Sequence, residues 1–166
     1  MMKKHKIRNG TSDDIAFLKE MLYEAVFWSQ EQERISLEEL FKVPEISKIL
    51  EYWNKREGDF SLIAIDEGNK PIGAVWYRYW TEENHSFGFV NSDIPEVGIS
   101  VVKNYRGKGI GTELMKVMMD YAKVNGVKQL SLSVDPRNYA LRFYEKLGYT
   151  KVSESGTSWT MVKELN

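Results

Sequence analysis

Hydrophobic and polar positions along the chain follow two periods, and the places where one gives way to the other mark the elements. Ile7 and Arg8 predict a short first strand. Thr11-Ser12-Asp13-Asp14 then reads as a helix start, with Thr11 as the cap and an acid three positions on. Behind it Ile15, Leu18, Leu22, Ala25 and Val26 keep helical spacing. A second start lies at Ser36-Leu37-Glu38-Glu39, and Pro44 interrupts it. Beyond the proline, Ile46, Ile49, Leu50 and Trp53 predict a further helix running to Gly58. From Phe60 the period shortens: residues 60–65 read as a strand, 66–70 as a turn and 72–80 as the returning strand. Residues 81–95 are polar, with Phe87 and Phe89 embedded, and fit either a loop or an irregular hairpin.

The second half opens on an apolar run, Val97 to Val102, which passes through a short basic turn into Gly107, Gly109 and Gly111. A helical face follows at once in Ile110, Leu114, Val117, Met118 and Tyr121, ending near Gly126. Gln129 to Val134 predicts a strand, and Asp135-Pro136 turns the chain. Ala140, Phe143 and Leu147 mark a short helix closed by Gly148. Two last strands, near 150–153 and 158–162, flank a turn at Gly156. No repeat, low-complexity tract or linker interrupts this order, which predicts one mixed α/β domain over residues 1–166.

Composition narrows the partners. The formal net charge of −1 removes the long-range attraction on which nucleic-acid and membrane-surface binders rely, so neither is expected. The chain has no cysteine, which excludes disulfides, thiolate metal sites and a cysteine nucleophile, and fits a reducing compartment. The basic stretch MMKKHKIRNG has no apolar run behind it, unlike a secretory signal. A cytoplasmic protein is therefore expected. His5 and His85 have no partner at metal-ligand spacing, so both read as solvated surface and no metal is expected. The aromatic content, five Trp, nine Tyr and seven Phe, mostly fills a core and leaves room for a homodimer.

The glycine junction carries the chemistry. Without Cβ atoms its backbone N–H groups can approach an anion closely. The first helical turn adds unpaired donors and the positive end of the helix dipole. This predicts a phosphate cradle, with Arg106 and Lys108 placed to add charge. A dinucleotide fold is one rival, since Asp135 follows Gly111 at about the distance of a ribose-holding acid. Against it, the glycines fall as G-x-G-x-G, and Lys103 to Arg106 separate them from the strand. A nucleoside-triphosphatase loop fits worse, because no Gly-Lys-Ser/Thr follows.

Arg106-Gly107-Lys108-Gly109-Ile110-Gly111 resembles the R/Q-x-x-G-x-G/A motif of the GCN5-related N-acetyltransferases, behind an apolar strand that begins with Glu96. Downstream, Asn138 leads through Ala140 to Phe143-Tyr144-Glu145-Lys146-Leu147-Gly148-Tyr149, similar to that family's C-terminal coenzyme A motif. The resemblance implies a twisted, mostly antiparallel sheet with a splayed parallel pair, flanked by helices. It implies acetyl-coenzyme A as cosubstrate and a primary amine of a small molecule or peptide as acceptor, joined by direct attack. The amides of Arg106, Gly107, Lys108, Gly109, Ile110, Gly111 and Thr112 would hold the pyrophosphate, and the backbone of Ser100, Val101 and Val102 would meet the pantetheine arm.

The same likeness casts Glu96 as general base, with Asp93 as the fallback, and Tyr144 as the acid that protonates the leaving thiol. Tyr144 also lies where it could simply flank the core stripe. Asn138 would contact coenzyme A while capping the last helix. Among Trp28, Trp53, Trp76, Tyr79 and Trp80, some would line an amine pocket. The alternatives are a non-catalytic acyl-coenzyme A sensor and, behind it, the dinucleotide-binding protein.

Overall fold

A computed structural model describes residues 4–166; the first three residues of the basic N-terminal stretch lie outside them. The elements run β1 (His5–Asn9), α1 (Ile15–Val26), α2 (Leu37–Leu40), α3 (Pro44–Ser47), β2 (Phe60–Asp66), β3 (Pro71–Arg78) and β4 (Glu96–Val101). They continue with α4 (Ile110–Val124), β5 (Gln129–Val134), α5 (Ala140–Lys146), β6 (Thr150–Ser155) and β7 (Ser158–Glu164). The strands follow the order β1-β2-β3-β4-β5-β7-β6 in one sheet that is mostly antiparallel, with β4 and β5 parallel. The fold class expected from the sequence is the one observed. The chain divides into two compact units, one of residues up to Tyr77 with Gly98–Met118, the other of Arg78–Val97 with Met119–Asn166.

In the first unit β1, β2 and β3 form an antiparallel meander, with His5 opposite Asp66 and Phe60 opposite Tyr77 at its ends. Thr11 opens the helical segment as expected. Its hydroxyl accepts from Asp13 N–H, and the Asp14 carboxylate returns to Thr11 N–H at 2.8 Å. Arg8 grips the same carboxylate with two bonds of 2.8 and 2.9 Å, which holds Asp14 below the usual carboxylate range. The α1 stripe buries Leu18, Met21 and Leu22 against Leu50, Trp53, Ile63, Ile65, Ala74 and Trp76. Gly98 on β4 makes room for that core, since a Cβ there would lie 2.6 Å from the Trp76 indole.

The helix expected to reach Gly58 stops at Ser47. Past it the backbone closes a succession of three-residue turns, such as Leu50 N–H to Ser47 O and Trp53 N–H to Leu50 O. Tyr52 and Asn54 then take φ of 55° and 67°, which no right-handed helix admits. Leu50 and Trp53 are buried all the same, so the apolar spacing reported burial correctly and the element wrongly.

In the second unit β5 pairs antiparallel with β7, from Gln129 opposite Glu164 to Val134 opposite Trp159, and β6 closes a hairpin onto β7. Leu130, Leu132, Val134, Tyr149 and Met161 are buried there. Residues 81–95 contain no strand and form a loop of tight turns. On α4 the exposed member of the expected face is Val117, while Met115 and Ala122 are buried; that face is rotated from the predicted one. On α5 the buried side chain is Tyr144, and Phe143 and Leu147 are only half-buried.

Candidate functional site

The glycine turn lies in the first unit. After β4, Lys103–Tyr105 make one 3-10 turn, with Tyr105 N–H bonded to Val102 O at 2.8 Å. Gly107 and Gly109 follow with φ of 76° and 86°, and α4 begins at Ile110. A Cβ on either glycine would meet nothing within 4 Å. They are therefore required for their left-handed backbone, not for lack of room. Glu113 N–H reaches back to Gly109 O at 3.1 Å. The amides of Ile110, Gly111 and Thr112, at the head of a 15-residue helix, have no helical carbonyl behind them. Buried Ile110 anchors this end, while Gly107, Lys108 and Gly109 are exposed. Free amides at the head of a helix, behind an exposed glycine turn, are the kind of donor set at which anions bind in proteins generally.

Side-chain charge contributes less than expected. Arg106 turns back, its Nε donating to Val101 O at 2.8 Å and its Nη2 lying 3.7 Å from the Glu24 carboxylate. It braces the turn against the strand end. Lys108 Nζ sits 5.4 Å from the centre of the Tyr105 ring, a cation–π distance. The strand edge is also partly engaged. Val102 N–H donates to Ile72 O at 2.8 Å, and Val101 O already accepts from Arg106, so neither group stands open as expected. Gly73 lets this edge come close, since a Cβ there would lie 3.4 Å from Ser100 O and 3.2 Å from Leu114. His5, expected on the solvated surface, instead bonds Glu113 in the first turn of α4 at 2.7 Å.

Glu96, Asp93, Tyr144, Asn138 and Asp135 belong to the second unit. Glu96 is half-buried, and its Oε2 accepts from Gly88 N–H at 3.0 Å. Asp93 is exposed and lies where its charge, after burial, helps to raise the Tyr79 phenol. Tyr144 is buried beside Phe143 and Tyr149, at 5.4 and 5.8 Å between ring centres. Burial pushes its phenol up to about 12, and burial with Tyr144 nearby raises Tyr149 further. Tyr139, not Asn138, occupies the capping position of α5, but the Asn138 Oδ1 accepts from Ala140 N–H, the first residue of that helix, at 3.0 Å. Asp135 is gripped by Arg137 through bonds of 2.9, 3.0 and 2.7 Å and held below the usual carboxylate range. A carboxylate so engaged is poorly placed to hold a ribose, which weakens the dinucleotide reading.

Gly88, which packs against Glu96 and β5, carries only a faint mark in the sequence. A glycine between two phenylalanines in a polar loop was the available signal, because such a glycine marks a close backbone approach. Among the described residues no three metal-ligating side chains gather, and no helix is long and apolar enough to cross a membrane.

Comparison with known proteins adds an independent line. A sequence model of the Acetyltransferase (GNAT) family matches residues 20–149. N-alpha-acetyltransferase 30 of Schizosaccharomyces pombe is 28% identical over 110 residues, 65% of this chain and 69% of that protein. An uncharacterized N-acetyltransferase of Methanocaldococcus jannaschii is 26% identical over 168 residues, 99% of this chain and 69% of that one. Among solved structures, a PaiA N-acetyltransferase from Thermoplasma acidophilum in complex with coenzyme A aligns with a TM-score of 0.66 at 21% identity. That alignment covers 98% of this chain and 99% of the other, and it speaks to the fold.

Proposed function

Because the chain belongs to the Acetyltransferase (GNAT) family, a family of acyltransferases whose cosubstrate is acetyl-coenzyme A, we propose that it moves an acetyl group to a primary amine by direct attack. The observation that supports this most is the turn at Gly107 and Gly109, two left-handed glycines opening onto the first amides of α4. There the amides from Arg106 to Thr112 would hold the cosubstrate's pyrophosphate, with the pantetheine arm along Ser100, Val101 and Val102 and the Asn138 amide as a further contact. With Arg106 braced elsewhere, the grip is one of backbone donors and helix dipole, with Lys108 as the nearby cation.

An amine is mostly protonated at neutral pH and must lose a proton before it can attack a thioester. Glu96 is the base in this proposal, with Asp93 as its fallback, and Tyr144 the acid for the departing sulfur. The nitrogen–carbon bond forms as the carbon–sulfur bond breaks, and no covalent enzyme intermediate is needed. The acceptor in this proposal is a primary amine of a small molecule or peptide, and the name of the relative N-alpha-acetyltransferase 30 favours an alpha-amine. The second reading, a non-catalytic acyl-coenzyme A sensor, draws on the burial of Tyr144, whose raised phenol is a weak acid.

Thermal melts and thiol release test the proposal. Millimolar coenzyme A should raise the melting temperature and the same concentration of NAD should not; the reverse favours the dinucleotide rival. Thiol release should follow addition of at least one amine from a panel of peptides, polyamines, aminoglycosides and amino acids. Tight cofactor binding with no release on any amine would support the sensor. Glu96→Gln should lower turnover and change the pH–rate profile while leaving coenzyme A affinity near wild type; an unaltered profile removes Glu96 from the mechanism.

A further inference from the structure

One polar patch inside the second unit stands apart from its apolar surroundings. Ser131, in the middle of β5, is fully buried, and its hydroxyl has no hydrogen-bond partner. Its backbone is committed, since Ser131 N–H donates to Pro95 O at 3.0 Å. In the parallel pair of β4 and β5 it stands directly opposite Glu96. Paired residues of neighbouring strands project to the same face of a sheet, and the strands lie about 4.8 Å apart. The unpartnered hydroxyl and the candidate base are therefore neighbours on one face.

The loop of residues 81–95 closes over this spot. Gly88 N–H donates to Glu96 Oε2 at 3.0 Å. A Cβ on Gly88 would lie 2.7 Å from that oxygen, 2.8 Å from Leu132 C and 2.9 Å from Ser133 N. The loop backbone thus touches both the carboxylate and the peptide one step past Ser131. One position farther along the same face, Thr160, opposite Ser133, donates its hydroxyl to Phe87 O at 3.4 Å. Ser131, Ser133, Thr160 and Glu96 share this face with Val162, the β7 partner of Ser131, while Leu130, Leu132, Val134 and Met161 bury on the alternate positions.

A buried hydroxyl is rarely left without a partner, and a strand spacing is about the span that one bridging water covers. We propose that Ser131 is a positioning residue that holds a water against the Glu96 carboxylate, with Gly88 fixing the other side of that carboxylate, and that the acceptor's proton travels through this water. This rests on the reading of Glu96 as the base. The acceptor ammonium gives one proton to the water, which passes one to the carboxylate. The freed amine attacks as the thioester carbon–sulfur bond breaks, and the second nitrogen-bound proton ends on the thiol of coenzyme A.

Ser131→Ala is the test, assayed by thiol release with the panel amine on which the wild type is fastest. The variant should fold, with a melting temperature equal to or above wild type, because it deletes an unpartnered buried hydroxyl. Its kcat should fall at least tenfold, the pH–rate limb assigned to Glu96 should shift, and KM for acetyl-coenzyme A should stay within about twofold. Wild-type kcat and an unchanged pH profile in Ser131→Ala would overturn the inference and leave the acetyltransferase reading standing. A lower kcat with an unmoved profile would also overturn it, by making Ser131 merely structural. So would failure to fold, because a hydroxyl that holds only a water is dispensable for folding. If the wild type releases no thiol on any amine, the acetyltransferase reading falls, and this inference with it.

Discussion

Replacing Gly109 by alanine separates two costs that usually arrive together. An added Cβ meets nothing within 4 Å, so packing is untouched. The φ of 86° remains, and an L-residue held in left-handed backbone costs about 1–2 kcal/mol. Against this, alanine narrows the unfolded ensemble, worth about 0.4–1 kcal/mol in the other direction. The free protein should therefore lose no more than about 1.5 kcal/mol, and less if the exposed loop relaxes toward negative φ. Such relaxation would turn the amides away from a bound anion. The strain then reappears on binding, where about 1–2 kcal/mol corresponds to roughly 5- to 30-fold in Kd. Gly107→Ala, at φ of 76°, should behave alike. Gly109→Asn, which tolerates the left-handed region, should recover part of the loss. Isothermal titration with coenzyme A, alongside circular dichroism to check the fold, measures each. Wild-type affinity in both alanine variants would refute the role given to this turn.

Two other substitutions probe the frame around the site. Gly98→Ala should lower stability by about 1–3 kcal/mol through overpacking, because its Cβ would stand 2.6 Å from the buried Trp76 indole; a melting temperature within 1–2 °C of wild type would contradict this. Tyr144→Phe should slow transfer by up to about 100-fold, and wild-type turnover would return that residue to a purely packing role. The same variant has a pH signature. Burial raises the Tyr144 phenol from 10 to about 12, so its stabilising contribution is present below pH 10 and is lost as pH climbs toward 12. Denaturant melts across that window should fall more steeply for wild type than for Tyr144→Phe, and parallel slopes would argue against burial as the cause.

What the sequence disclosed follows from the range of the forces involved. The Thr11–Asp14 cap, the β2–β3 hairpin and α4 behind its glycines each depend on a few consecutive residues, and each formed where expected. The stretch after Pro44 did not. Its apolar residues sit at helical spacing because they must reach one core, yet a chain of turns with two left-handed residues delivers Leu50 and Trp53 there equally well. Periodicity reports which residues are buried more faithfully than the backbone path that buries them.

The candidate site divides along the same line. The glycines were legible because their requirement is conformational and local. The direction of the Arg106 side chain was not, since it is set by Glu24, 82 residues earlier, and by a strand carbonyl. Likewise nothing near His5 announces Glu113, and nothing near Glu96 announces Ser131. These partners come together only once the strands pair. Glycine itself illustrates the limit: Gly107 and Gly109 are needed for backbone angle, whereas Gly88 and Gly98 are needed for space that a carboxylate or an indole already fills. Spacing along the chain reveals the first kind. The second becomes visible only with its neighbour in place, and it is the second kind that fixes the angle at which Glu96 meets its surroundings.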